Sequence, residues 1–171
     1  MNLIYLSIFI FLVFQRIFEL LFAKSNERYQ KKKGAIEIND PYYKAIVITH
    51  VLFFICLLTE SYFTHYWLKP ISIYIFIIFV ILQFFRLWCI FSLGRYWNTK
   101  IIVLPNSHLV SKGPYKWIKH PNYIIVGLEF ITIPILFHAY TTAVIFTFAH
   151  YLLMRKRIPM ENEALKLYII K

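Results

Sequence analysis

Apolar residues run along this chain in long blocks, and polar residues interrupt them in a few dense clusters. A helix needs roughly 20 mostly apolar residues to cross the hydrocarbon core of a bilayer. Residues 3–23 meet that requirement, opening as LIYLSIFIFLVF and ending in the polar insertion QRIFEL. Residues 45–64 form a second block and residues 71–93 a third, with Pro70 opening the third where a helix tolerates it. Only the short stretch around SYFTHYWLKP separates these two, which predicts an antiparallel hairpin. The block 123–154 is too long for one span. Pro134 and the interruption HAYTT at 138–142 divide it into a helical hairpin of two shorter segments. The pattern therefore predicts an all-α integral membrane protein with about five transmembrane segments in a single domain. Residues 1–93 supply three transmembrane helices, and residues 94–171 carry most of the polar chemistry. The first block lacks a basic start and a small-residue cleavage site, so it is expected to be a retained span rather than a signal peptide.

Composition agrees with this pattern. Hydrophobic residues make up 60% of the chain and its mean hydropathy is +0.60, well above ordinary soluble domains. The net charge of +11 matters through its placement. Lys24, Arg28, Lys31, Lys32, Lys33 and Lys44 follow the first block. Arg95, Lys100, Lys112, Lys116 and Lys119 follow the third, and Arg155, Lys156, Arg157, Lys166 and Lys171 close the chain. These are 16 of the 19 basic residues, so the charge lies between and after the spans. The positive-inside bias then puts the N-terminus outside and residues 24–44, 94–122 and 155–171 on the cytoplasmic side. Nucleic acid is not an expected partner, because helices saturated with Phe and Ile leave no soluble basic face. Cys56 and Cys89 sit inside apolar blocks as small buried hydrophobes, and no disulfide framework or metal site is expected.

Ionisable residues inside the blocks need separate reasons, because charge at membrane depth is costly and usually faces the bundle interior or a polar cavity. Arg16 and Glu19 are three apart, share a helix face and are expected to pair. His50 reads as a helix-packing histidine. Arg86 and Glu129 either pair across helices or line a pocket, and the sequence leaves both open.

The stretch GRYWNTKIIVLPNSHLVSKGPYKWIKHPNY, residues 94–123, is basic and broken by glycine and proline. Gly113-Pro114 marks a turn. Lys119-His120-Pro121 places an extended residue before a proline at the start of an apolar helix, whose free amides can receive a polar ligand at the membrane surface. In the C-terminal RKRIPMENEALKLY, Arg157 and Glu161 are four apart and share a helix face. Beside a pocket they offer one cation and one carboxylate; exposed, they are an ordinary surface pair.

The order Gly-x-Tyr-x-x-x-Lys-His-Pro-x-Tyr, then a helical hairpin, then Arg-Ile-x-x-Glu, resembles the isoprenylcysteine carboxyl methyltransferase family of integral membrane enzymes. QRIFELLFAKSNERYQKKKGAIE and LGRYWNTKIIVLP look like its bacterial subgroup associated with type III polyketide synthases, which methylates alkylpyrones. The resemblance implies that S-adenosylmethionine is held by Lys100, Ser107, His108, Leu109, Val110, Tyr115, His120, Pro121, Asn122 and Tyr123. It implies that Arg157 faces the acceptor and that Glu161 lies on the cofactor side, these two being the catalytic pair. Two positions depart from the family pattern: Lys119 stands where many relatives have arginine, and Asn162 where many have a second glutamate.

On this reading a lipophilic acidic acceptor, an alkylpyrone hydroxyl or a prenylcysteine-like carboxylate, takes a methyl group at the cytoplasmic face. Such acceptors are largely anions at neutral pH, so no dedicated general base is required. A functional link to a type III polyketide synthase is implied as well. Two rivals are an NADPH-dependent membrane reductase of the sterol-reductase type and a non-enzymatic helical scaffold.

Overall fold

A computed structural model of the chain describes residues 3–65 and 70–168. Among them are five long helices: α1 (Leu3–Lys32), α2 (Tyr43–Phe63), α3 (Ile73–Leu93), α4 (Pro121–Leu136) and α5 (Tyr140–Tyr168). A short antiparallel pair joins β1 (Ile36–Glu37) to β2 (Ile102–Val103) in the register Ile36 to Val103 and Glu37 to Ile102. Helices α1, α2 and α3 are long and apolar enough to cross a membrane, and α4 is a shorter apolar helix. Phe14, Phe18, Phe84, Phe91 and Phe148 project outward from the bundle, a surface that suits lipid and not water. The protein is an all-α integral membrane protein.

The predicted hairpin is α4 and α5, with its break at residues 137–139. Pro134 lies in the last turn of α4, where its missing amide costs only one helical bond. Its carbonyl accepts from the Ala139 amide at 2.8 Å, and His138 turns the chain with φ of 56°. Glu60, near the end of α2, then caps α5: its carboxylate accepts from the Thr141 and Thr142 amides at 2.9 and 2.7 Å. An aromatic core fills this end of the bundle, with Phe53 edge-on to Phe130 and Phe146 at 4.8 and 5.5 Å.

Three boundaries differ from expectation. Helix α1 runs to Lys32, past the predicted end at residue 23, because the tertiary structure uses the extra turns. Asn26 donates to the carbonyls of Gly94 and Trp97 at 3.0 and 2.8 Å, and Gln30 donates to that of Arg95 at 2.6 Å. Helix α3 begins at Ile73 with Ser72 as N-cap, not at Pro70. The C-terminal basic segment is the unbroken continuation of α5, through Pro159. Residues 66–69 of the predicted α2–α3 connection lie outside the described residues.

The three basic segments meet at one end of the bundle. Lys100 pairs there with Glu37 at 2.9 Å and Glu27 at 3.2 Å, beside the β1–β2 ladder. Deeper in the bundle, the embedded charges form one cluster. Arg86 grips both oxygens of Glu19 at 2.6 Å and donates to Glu129 at 2.5 Å. Arg16 bridges the same two carboxylates at 3.0 and 2.8 Å, and Gln83 donates to the other oxygen of Glu129 at 3.0 Å. Two guanidiniums face two carboxylates, so the cluster is neutral as a unit, which makes it tolerable at membrane depth. The expected Arg16–Glu19 pair is present, and Arg86 both pairs across helices and borders a cavity.

Candidate active site

Of the cavities at the polar end of the bundle, two lie on opposite sides of a common wall. The first, about 460 Å³, is a groove between the 96–123 connection and the last turns of α5. Gly113 sets its shape. With φ of 54° it occupies the left-handed region, and a Cβ there would fall 2.1 Å from Ser92 Oγ and 3.0 Å from Trp88 Nε1. The turn at Gly113–Lys116 therefore lies directly on α3 and presents Tyr115 to the groove. Burial, then the neighbouring Cys89 and Glu161, pushes the Tyr115 phenol well above its ordinary range, so it stays a neutral donor.

Pro121 is the first residue of α4, and the backbone of His120 leaves helical geometry just before it. This turns His120 toward α5. Its Nε2 lies 3.0 Å from Asn162 Oδ1 and its Nδ1 3.6 Å from Glu161 Oε2. Asn162 thus receives the imidazole directly. Tyr123 stacks on His120 at 5.4 Å between ring centres and donates its hydroxyl to Glu161 at 2.5 Å. Glu161, three-quarters buried, is the carboxylate of the groove. A carboxylate among tyrosine rings suits a cation, by charge and by the ring faces.

The second cavity, about 230 Å³, is mainly apolar. Helix α2 lines it along one face, from Tyr43 through His50 to Phe54, a run of about 16 Å. Arg157 stands at its polar end, 4% exposed, donating from Nη2 to the Thr99 carbonyl with Asp40 Oδ2 3.5 Å from Nη1. Trp97, Asn98, Asn122 and Tyr123 border both cavities. Three buried polar atoms on that wall have no hydrogen-bond partner: Trp97 Nε1, Asn98 Nδ2 and Asn122 Oδ1. Buried polar groups are nearly always paired, so the two donors and the acceptor open on this wall are available to a bound molecule, water included.

Nine of the residues expected to hold a cofactor line the groove: Ser107, His108, Leu109, Val110, Tyr115, His120, Asn122, Tyr123 and Glu161. Pro121 sits buried behind them as the helix start. Lys100 does not line the groove; Glu27 and Glu37 hold it outside. Arg157 lies across the wall from Glu161, in the apolar cavity. Trp97, Asn98, Thr99 and Asp40 were not singled out from the sequence. Asn98 and Thr99 fall within a stretch whose importance was legible, but nothing in NDPYY marks Asp40 as the partner of an arginine some 117 positions away.

A polar groove and an apolar cavity thus share one wall in this helical membrane protein. This chain belongs to the isoprenylcysteine carboxyl methyltransferase (ICMT) family, whose model matches residues 72–167. Members of this family are membrane methyltransferases that use S-adenosylmethionine. Over 162 residues the chain is 44% identical to the uncharacterized protein YpbQ of Bacillus subtilis (strain 168), covering 94% of this chain and 95% of that one. It is 26% identical over 154 residues to an uncharacterized protein of Haemophilus influenzae, covering 88% of each. No solved structure matches the chain significantly.

Proposed function

We propose that this protein is an S-adenosylmethionine-dependent O-methyltransferase for a lipophilic acidic acceptor, with an alkylpyrone hydroxyl as first choice and a prenylcysteine-like carboxylate as second. The observation that carries the reading is the shared wall, with Glu161 on the polar side and Arg157 on the apolar side. The groove fits the methyl donor by chemistry: a carboxylate for a cation, aromatic rings around it, and unpaired amide atoms of Asn98 and Asn122 at the wall. Held by Tyr115, His120, Tyr123 and Glu161, S-adenosylmethionine would supply a transferable sulfonium methyl, its sulfur leaving as the neutral thioether when the acceptor oxygen takes the methyl group. The protein's part is positioning and electrostatics. Tyr115, His120 and Tyr123 form the groove wall, and Glu161, held by the Tyr123 hydroxyl, orients the cationic end. Arg157 directs the acceptor oxygen toward the wall, and an oxygen ionised beside that guanidinium needs no proton-abstracting residue.

The positive-inside bias of the three basic segments supports a cytoplasmic active site with the N-terminus outside. The acceptor then enters from the bilayer, and a type III polyketide synthase is the enzyme class that would supply an alkylpyrone. In membranes carrying the wild-type chain, label from methyl-labelled S-adenosylmethionine should pass to a 6-alkyl-4-hydroxy-2-pyrone. Glu161→Ala and His120→Ala should each abolish transfer; full activity in both variants refutes this site. Thermal stabilisation by S-adenosylhomocysteine and not by NADPH separates the reading from a reductase.

A further inference from the structure

The apolar cavity has a second polar end that the methyl-transfer reading leaves unused. His50 on α2 and His150 on α5 both line it, and their rings flank Phe130 at 5.2 and 5.4 Å between centres. Each ring is fixed by one backbone carbonyl: His50 Nδ1 lies 2.9 Å from the Ile46 oxygen, and His150 Nε2 lies 3.0 Å from the Tyr123 oxygen. A carbonyl only accepts, so each of these nitrogens carries the hydrogen. The other nitrogen of each ring, His50 Nε2 and His150 Nδ1, has no hydrogen-bond partner among the described residues. Gly127 fixes the direction of the second ring. A Cβ there would lie 3.3 Å from His150 Cδ2 and 3.4 Å from Nε2, so that edge faces α4 and the Nδ1 edge turns away.

Arg16 and Arg86 line the same cavity, and a further unpaired cation at this depth is costly, so both rings are neutral and present bare lone pairs. The two arginines are already matched by Glu19 and Glu129. They leave no net charge to draw an anion inward. A hydrocarbon leaves both lone pairs unmet, and a carboxylate meets them with lone pairs of its own. An O–H satisfies them. His150 and Arg157 are seven residues apart on α5, hence about 10 Å along its axis. That distance accommodates a ring-sized polar head. Leu20, Val47 and Val51 on the cavity's rim face outward, so an alkyl tail leaves there toward lipid.

We propose that His50 and His150 form a hydrogen-bond-accepting site at the inner end of this cavity, which favours acceptors whose polar head carries a neutral O–H donor apart from the oxygen that Arg157 directs. The proposal rests on the apolar cavity being the acceptor site, and its test is independent of turnover. Purified full-length chain in detergent micelles is titrated with 3-pentadecylphenol, 3-pentadecylanisole and pentadecylbenzene, with binding read by thermal stabilisation. These share a tail and a ring, and only the phenol donates. One added hydrogen bond should make the phenol bind about fivefold to tenfold tighter than either of the others. In His50→Phe, which keeps a ring against Phe130, the preference should fall below about twofold while S-adenosylhomocysteine affinity is unchanged. Equal binding of phenol and anisole by wild-type protein, or an undiminished preference in His50→Phe, overturns the proposal. If the preference holds but S-adenosylhomocysteine does not bind wild-type protein, the histidine site stands and the transferase reading falls.

Discussion

The buried charge cluster offers the sharpest test of how this bundle tolerates ions at membrane depth. Glu129 accepts from Arg86 at 2.5 Å, Arg16 at 2.8 Å and Gln83 at 3.0 Å. Replacing it with leucine leaves two guanidiniums for one carboxylate. Arg86 keeps its two-pronged grip on Glu19 at 2.6 Å, so the charge left over is largely that of Arg16. Breaking a buried pair in this way typically costs about 3–5 kcal/mol. Arg16 is 16% exposed along its side chain, which places the expected loss near the lower figure, about 3 kcal/mol. Arg16→Met alone should cost about 2–3 kcal/mol, since it strands the second carboxylate beside Arg86 and Gln83. The double variant removes one charge of each sign and keeps the Arg86–Glu19 pair intact. Its loss should therefore fall short of the summed single losses by at least about 2 kcal/mol. The assay is reversible unfolding of the purified chain in mixed micelles titrated with SDS, with the four proteins compared as a cycle. Additivity within about 0.5 kcal/mol would refute the claim that the four charges act as one neutral unit.

Three further outcomes follow from single contacts. Gly113→Ala puts a methyl group against Ser92 and forces a residue with a Cβ to keep φ of 54°; it should lose about 1–3 kcal/mol in the same unfolding assay and weaken S-adenosylhomocysteine binding through Tyr115. Asp40→Asn removes the charge 3.5 Å from Arg157 Nη1; acceptor titrations should show about a tenfold higher KM, as for loss of a contact worth about 1.4 kcal/mol, with cofactor affinity unchanged. Hydrogen bonds from Lys31 and then Lys100 hold the Glu37 carboxyl below its ordinary 4.5, and the hydrogen bond to Glu37 raises Lys100. Their stabilisation is therefore present from pH 4.5 upward on the carboxylate side. It is lost as pH falls through the depressed Glu37 value, or rises through the elevated Lys100 value. Exchange protection of the Ile38 amide, bonded to the Ile101 carbonyl at 3.0 Å, should stay level at neutral pH and drop at both extremes. The drop should be small, because Glu37 is 36% exposed.

The helices were legible because lipid imposes a crude rule that a run of apolar residues reveals. The break before Tyr140 was legible for a similar reason, since Pro134 and HAYTT are poor material for a continuous span. Ends were harder to read. Asn26 and Gln30 extend α1 because they serve the carbonyls of residues 94–97, and no local pattern encodes a partner some 65 residues away. The groove residues came from a motif whose order carries information, and His120, Tyr123 and Glu161 do converge. Lys100 shows where a motif position falls short of geometry: two glutamates compete for it, and the nearer charges win. His50 shows the limit of periodicity. A histidine on an apolar face reads as packing, and one ring nitrogen is indeed satisfied within its own helix, yet its cavity-facing role depends on where α5 lies.

The two cavities draw on the chain differently, and this bears on how acceptor choice is encoded. Every residue lining the groove, from Leu93 to Leu165, falls within the segment that matches the family model. The apolar cavity takes Arg16, Glu19 and Leu20 from α1 and the Tyr43-to-Phe54 face from α2, all upstream of that segment. Arg157, inside the segment, is steadied by Asp40, outside it. The cluster of Arg16, Glu19, Arg86 and Glu129 crosses the same boundary and fixes α1 against α3 and α4. On the proposed reading the donor meets only the matched segment, whereas the acceptor also meets the first two helices. Changes in α1 and α2 can then alter which lipid is accepted without disturbing the groove, provided the neutral cluster stays whole.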